Sequence, residues 1–191
     1  MKKGLLIILS GPSGVGKGTV RKIVMRDKSL NLAYSISMTT REPRAKEKDG
    51  VDYFFVSNEE FEENVANGNL LEHAEFVGNK YGTPSDYVEK LRNEGKNVIL
   101  EIEVNGAKQV LAKIDKKDRV TIFLLPPSIE ELESRIRHRR SETEDVIQAR
   151  LEKAKREMSE QNKYDYVVVN DTVNRAASAI KSIIRRNINR L

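Results

Sequence analysis

A chain of 191 residues fits one domain large enough to bury a sizeable core. It has no cysteine and only two histidines, His73 and His138, which excludes disulfides, thiolate catalysis, sulfur-built zinc sites and a histidine-rich metal centre. The net charge is +5, yet both signs are interleaved and aromatics are 6% of the chain. Small polyphosphates explain local arginine clusters as well as nucleic acid would, and no nucleic-acid partner is expected.

Residues 5–9 are all apolar and read as a buried strand. After Met1-Lys2-Lys3 they have the look of a signal peptide, but the stretch is too short and a glycine-rich loop begins at once. No other segment approaches membrane-spanning length, so a soluble cytoplasmic protein without a membrane partner is expected.

The loop is Ser10-Gly11-Pro12-Ser13-Gly14-Val15-Gly16-Lys17-Gly18-Thr19. Its glycines let backbone N–H groups turn inward onto an anion, and the next helix, patterned by Val20, Ile23 and Val24, adds its N-terminal amides and dipole. Lys17 supplies a mobile charge for the outer phosphates of a nucleotide. An ordinary glycine-rich turn would need neither that lysine nor the strand before it. Gly18 stands where a P-loop usually carries the hydroxyl that holds magnesium, and Thr19 follows one residue late. Mg²⁺ is therefore expected on the nucleotide phosphates and water, with no direct protein ligand assigned.

Further along, residues 33–37, 98–103, 120–124 and 166–169 read as strands with helical patterns between them, the signature of an α/β fold on a parallel sheet. Ser57 with Glu60, and Ser128 with Glu131, have capping-box spacing. One short helix is expected over 58–67. The last helix carries Ala176, Ile180, Ile183, Ile184, Ile188 and Leu191 as an apolar stripe.

Two stretches interrupt the alternation, 37–87 and 128–157. They read as an inserted second-substrate subdomain and a helical lid on a core of about 1–36, 88–127 and 158–191. In the first, Thr39-Thr40-Arg41-Glu42-Pro43-Arg44 presents paired guanidinium groups suited to a dianionic phosphate, though a solvated loop would look alike. In the second, Arg135 and Arg139 are four apart and share a helix face; Arg137 reads as solvated surface.

Taken together, 11–19, 37–44, Asp52-Tyr53-Phe54-Phe55-Val56-Ser57, 70–83 with Tyr81-Gly82-Thr83, 99–106, the lid arginines and Val169-Asn170-Asp171 closely resemble guanylate kinases over essentially the whole chain. The resemblance implies a P-loop nucleoside monophosphate kinase fold that transfers the terminal phosphoryl group of ATP to GMP, and to dGMP, with Mg²⁺ entering as MgATP. It assigns Gly11, Pro12, Ser13, Gly14, Val15, Gly16, Lys17, Gly18, Thr19 and Asn170 to the nucleotide donor. Arg41, Arg44, Tyr53 and Tyr81 clamp the GMP phosphate, and Ser37, Glu72, Thr83 and Glu103 surround guanine. Arg135, Arg139 and Arg150 serve the transferring phosphates beside Lys17 and Arg41. Carboxylates accept from guanine N1–H and its amine, whereas adenine would leave Glu72 unpaired.

Single residues keep other readings. Thr83 before Pro84 also fits a helix N-cap, Tyr53 and Tyr81 fit packing, and Glu72 fits a surface carboxylate. Alternation puts Glu101 and Glu103 on one face of a strand, with Glu101 the candidate for organising magnesium-bound water. Family members often carry Asp at these positions and Gly near His138 and Arg140. An adenylate kinase, a noncatalytic interaction module and a P-loop GTPase are the competing readings. Glu72 and Ser37, the retained lysine and lid arginines, and the missing Asn-Lys-x-Asp motif argue against each in turn.

Overall fold

The computed structural model describes residues 2–76, 78–137 and 143–190. Strand β1 (Leu6–Ser10) is buried along its whole length. It lies at the centre of a five-stranded parallel sheet with β2 (Leu32–Tyr34), β7 (Asn97–Glu101), β8 (Arg119–Leu125) and β9 (Tyr166–Val169), in the order β2-β7-β1-β8-β9. Alternation along β1 divides the core. Leu5, Ile7 and Leu9 pack on helices α1 (Lys17–Val24) and α7 (Val173–Ile188). Leu6 and Ile8 face α3 (Ser85–Asn93) and α4 (Val104–Lys113) through Val88, Val104, Ala107 and Val110. A sheet covered on both faces needs such unbroken apolar strands, which is why residues 5–9 lack polar alternation.

Neighbours β7 and β8 leave β1 toward opposite edges, so the crevice at its carboxyl end is where ligands bind in such sheets. Buried polar groups lock this frame. Asn97 accepts from the Leu5 amide at 2.9 Å and donates to Leu30 carbonyl at 2.8 Å, and buried Arg92 donates to the carbonyl of Gly4 at 2.8 Å. No helix among the described residues is long and apolar enough to cross a membrane.

The strand expected over 33–37 is Leu32–Tyr34, and that over 98–103 ends at Glu101. Glu103 is instead the extended residue that opens α4, so strand alternation does not relate it to Glu101. A second sheet, in the order β4-β3-β6-β5, is formed by β3 (Met38–Thr39), β4 (Phe54–Phe55), β5 (Leu70–Phe76) and β6 (Asn79–Pro84). Helix α2 (Asn58–Ala66) covers it through Phe61, which packs with Met38 and Leu70. Ser57 caps α2 as its spacing predicts, accepting from Glu60 N–H at 3.1 Å. Helices α5 (Ile129–Arg137) and α6 (Glu144–Met158) pack a separate small core of Leu132, Ile136, Ile147, Leu151 and Ala154. Ser128 caps α5 through Glu131 N–H at 3.1 Å.

Candidate functional site

The glycine-rich loop leaves β1 at its carboxyl end. Gly11, Gly14 and Gly16 have φ of +145°, +86° and +98°, which side chains rarely adopt, and a Cβ on Gly11 would stand 2.3 Å from Leu124 carbonyl oxygen. Val15 is buried beneath the loop. Buried Asn170, beyond β9, donates to Val15 carbonyl at 2.8 Å, and only a glycine at 16 leaves room for its amide. Lys17 opens α1 and folds back, donating to the carbonyls of Gly11 at 2.6 Å and Pro12 at 3.1 Å. Burial lowers its pKa, with Glu101 opposing. A cavity of about 500 Å³ opens over Ser13, Gly16, Lys17, Gly18, Thr19 and Glu101.

Two arginines reach this loop from the α5–α6 pair. Arg135 donates to Val15 carbonyl at 3.3 Å and Asn170 carbonyl at 3.1 Å, and Arg150 donates to Ser13 Oγ at 2.9 Å. Arg139, His138 and Arg140 lie outside the described residues. Arg137 is exposed, as expected of solvated surface, and there it bridges the two helices, bonding Glu133 at 2.8 Å and Glu144 at 2.6 and 2.7 Å. Those contacts raise the Arg137 pKa and lower that of Glu144 to about 2. On the other side of the loop a cavity of about 320 Å³ is lined by Gly14, Thr19, Arg135, Asn170, Asp171 and Val173.

Between the two sheets lies a larger cavity, about 1030 Å³, which Ser37, Tyr53, Glu72, Tyr81, Glu101 and Glu103 help line. Glu72 on β5 is 7% exposed. Thr83 on β6 donates to its Oε1 at 2.5 Å, so the Thr83 hydroxyl does not cap α3, whose N-cap is Pro84. Burial pushes the Glu72 pKa up, the Thr83 hydrogen bond pulling the other way. Glu103 is less enclosed and accepts from Lys153 of α6 at 2.8 Å.

Arg41 and Arg44 are not among the lining residues, but Glu47, which both bond, is. The Arg41 guanidinium is 5.4 Å from the Tyr53 ring centre, and the Tyr53 and Tyr81 rings meet edge-on at 6.2 Å. Glu47 organises this loop: it takes two bonds from Arg41, each 2.9 Å, and one from Arg44 N–H at 2.8 Å.

Sequence reasoning missed Glu47, Lys153 and Gly106, and Arg21 as well. A Cβ on Gly106 would lie 2.7 Å from Glu72 Oε2, so α4 must present a glycine where the carboxylate packs. Gln109, one helical turn on, exchanges hydrogen bonds with the His73 backbone at 3.0 and 2.9 Å and ties α4 to β5. Of these, only Arg21, four residues after Lys17 on α1, had a periodic signal.

A family model for guanylate kinase matches residues 3–187. A guanylate kinase of Bacillus anthracis is 59% identical over 183 residues, 96% of this chain and 88% of that protein. One from Malacoplasma penetrans is 52% identical over 98% of this chain and 95% of its own length. The chain spans 61% of the length of a guanylate kinase from Mesoplasma florum, with 56% identity over 184 residues. The crystal structure of guanylate kinase from Anaplasma phagocytophilum, 36% identical, has a TM-score of 0.76 and overlaps 98% of this chain and 87% of that one. A phosphate loop, two arginine groups and a buried carboxylate on a second sheet thus occur in a sequence matched nearly end to end by one family model, and the chain belongs to the guanylate kinase family.

Proposed function

We propose that this protein transfers the terminal phosphoryl group of ATP to GMP, with the loop 11–19 holding the donor and the cavity between the sheets holding the acceptor. The observation that carries the reading is Glu72, a buried carboxylate held by Thr83 and lining a cavity that shares Glu101 and Glu103 with the one over the phosphate loop. Guanine N1–H and its exocyclic amine are donors that such a carboxylate satisfies, while Ser37 offers a hydroxyl to the base, Glu103 a further acceptor, and Thr83 serves the base through the carboxylate it holds. Adenine offers no N1–H donor, and pairing it here leaves Glu72 desolvated and unsatisfied.

Within this reading, Arg41, Arg44, Tyr53 and Tyr81 orient the GMP phosphate, with Arg41 exchanging its Glu47 partner for the dianion. Lys17 leaves the loop carbonyls for the donor phosphates, and Asn170 borders the donor nucleotide. Arg135, Arg139 and Arg150 serve the transferring phosphates. Segment 37–87 acts as the GMP-binding subdomain and 128–157 as the lid, closing over the core to exclude water. The GMP phosphate oxygen is already anionic, so positioning and charge stabilisation carry the step without a dedicated base.

Magnesium neutralises charge on the phosphates when bound. The site suits it as MgATP: Glu101 offers a hard oxygen donor at the loop rim, with one oxygen 3.3 Å from where a Cβ at position 18 would be.

The test is ADP release with ATP, Mg²⁺ and each nucleoside monophosphate in turn. GMP is expected to be used at least about a hundredfold faster than AMP. Comparable AMP turnover would reject the role of Glu72.

A further inference from the structure

A P-loop ordinarily sets a serine or threonine hydroxyl toward magnesium directly after its lysine. Here that position is Gly18. The three atoms nearest a Cβ built on it all belong to the Glu101 side chain, with Oε1 at 3.3 Å and Oε2 at 3.8 Å. A hydroxyl one bond beyond that Cβ and the Glu101 carboxylate would therefore compete for the same space.

The carboxylate is held there from behind. Arg21, on the same face of α1 as Lys17, donates through Nε to Glu101 Oε2 at 2.6 Å. Its guanidinium lies 3.9 Å from the centre of the Tyr34 ring, and less than a fifth of either ion-pair side chain is exposed. With Oε2 committed to Arg21, Oε1 stands on the side of Gly18, in the cavity shared with Lys17. The backbone of Glu101 is fixed by its parallel register with Leu9 in the central sheet. An aspartate there would draw back by one methylene and could not both meet Arg21 and reach position 18.

We propose that Glu101 Oε1 supplies, to the magnesium ion of the bound nucleotide, the oxygen that position 18 lacks, and that Arg21 is the positioning residue that turns it there. The inference rests on the proposed nucleotide site at the phosphate loop. It makes Gly18 and the long carboxylate at 101 two halves of one device. A Cβ at 18 presses on Glu101, and shortening Glu101 opens a space that a hydroxyl at 18 fills.

The test is the affinity for adenylyl imidodiphosphate, measured by calorimetry in EDTA and in Mg²⁺. The ratio of the two dissociation constants reports the metal's contribution separately from the loop's own hold on phosphate. Glu101→Asp is expected to lower that ratio about tenfold, in line with the loss of a group that supports a bound metal. Gly18→Ser combined with Glu101→Asp is expected to restore it, which simple damage to the fold would not allow. Arg21→Met keeps an apolar stem against Tyr34 and is expected to lower the ratio in the same direction. An unchanged ratio in Glu101→Asp overturns the proposal, as does a double variant no better than Glu101→Asp alone. Failure of the unaltered protein to bind the analogue in either buffer would instead overturn the nucleotide-site reading beneath it.

Discussion

Glu72 depends on two neighbours, the Thr83 hydroxyl on one oxygen and the bare Cα of Gly106 beside the other. Burial raises its pKa, so between the ordinary carboxylate range and the raised value the free protein holds a proton there. The native state then binds that proton more tightly than the unfolded chain does, and this group's contribution to stability falls as pH climbs through the window. GMP demands the ionised form. Its binding is therefore expected to release a proton in that window and to tighten as pH rises, which calorimetry in buffers of different ionisation enthalpy detects. Glu72→Gln should remove this component while leaving the phosphate's own titration in place. Gly106→Ala forces a Cβ to 2.7 Å from Glu72 Oε2 and is expected to raise the KM for GMP about tenfold with little effect on that for ATP. Equal changes in both constants would show that the glycine serves α4 rather than the carboxylate.

Among the elements, those set by local chemistry stand where their spacing puts them. Ser57 and Ser128 cap α2 and α5, because a cap needs only a hydroxyl and an amide three residues on. Thr83 has the same local chemistry, yet a buried carboxylate on the neighbouring strand claims its hydroxyl. The second sheet rests on a small cluster of its own, Met38, Phe61 and Leu70, separate from the clusters that sandwich the central sheet. Phe61 is 1% exposed. Phe61→Ala is expected to destabilise that cluster by about 3–5 kcal/mol. GMP binding should then be lost at a lower urea concentration than binding of the ATP analogue. Coincident loss of both would mean that the two sheets unfold as one unit.

Across the whole molecule, the two arginine groups are held by different elements. Arg41 and Arg44 sit with Glu47 and the tyrosines on the second-sheet side, and Arg135 and Arg150 come from α5 and α6 onto the phosphate loop. Arg44→Ala is expected to weaken GMP binding while sparing the ATP analogue. Arg150→Ala should chiefly lower kcat, by about a hundredfold, because its charge matters most as phosphate oxygens crowd together. Binary affinities measured beside turnover separate the two roles. Abolished GMP binding in Arg150→Ala with none lost in Arg44→Ala would reverse the assignment.

The amino-acid sequence by itself determined what depends on neighbours along the chain. The apolar run into the glycine-rich loop, the caps, the stripe of Ala176, Ile180, Ile183, Ile184 and Ile188 on α7 (Leu191 lies outside the described residues) and the parallel α/β alternation are all of this kind, because strand and helix periods are written residue by residue. The order of the motifs carried the family as well. Only the tertiary structure decided partners that lie far apart in the chain: Glu101 with Gly18 and Arg21, Glu72 with Gly106, Glu103 with Lys153. It also ended β7 at Glu101 and made Glu103 the residue that caps α4, so that the two carboxylates reach the same cavities from a strand end and a helix start rather than from one strand face. Such pairings follow from how sheets and helices stack in space, and no local period encodes them.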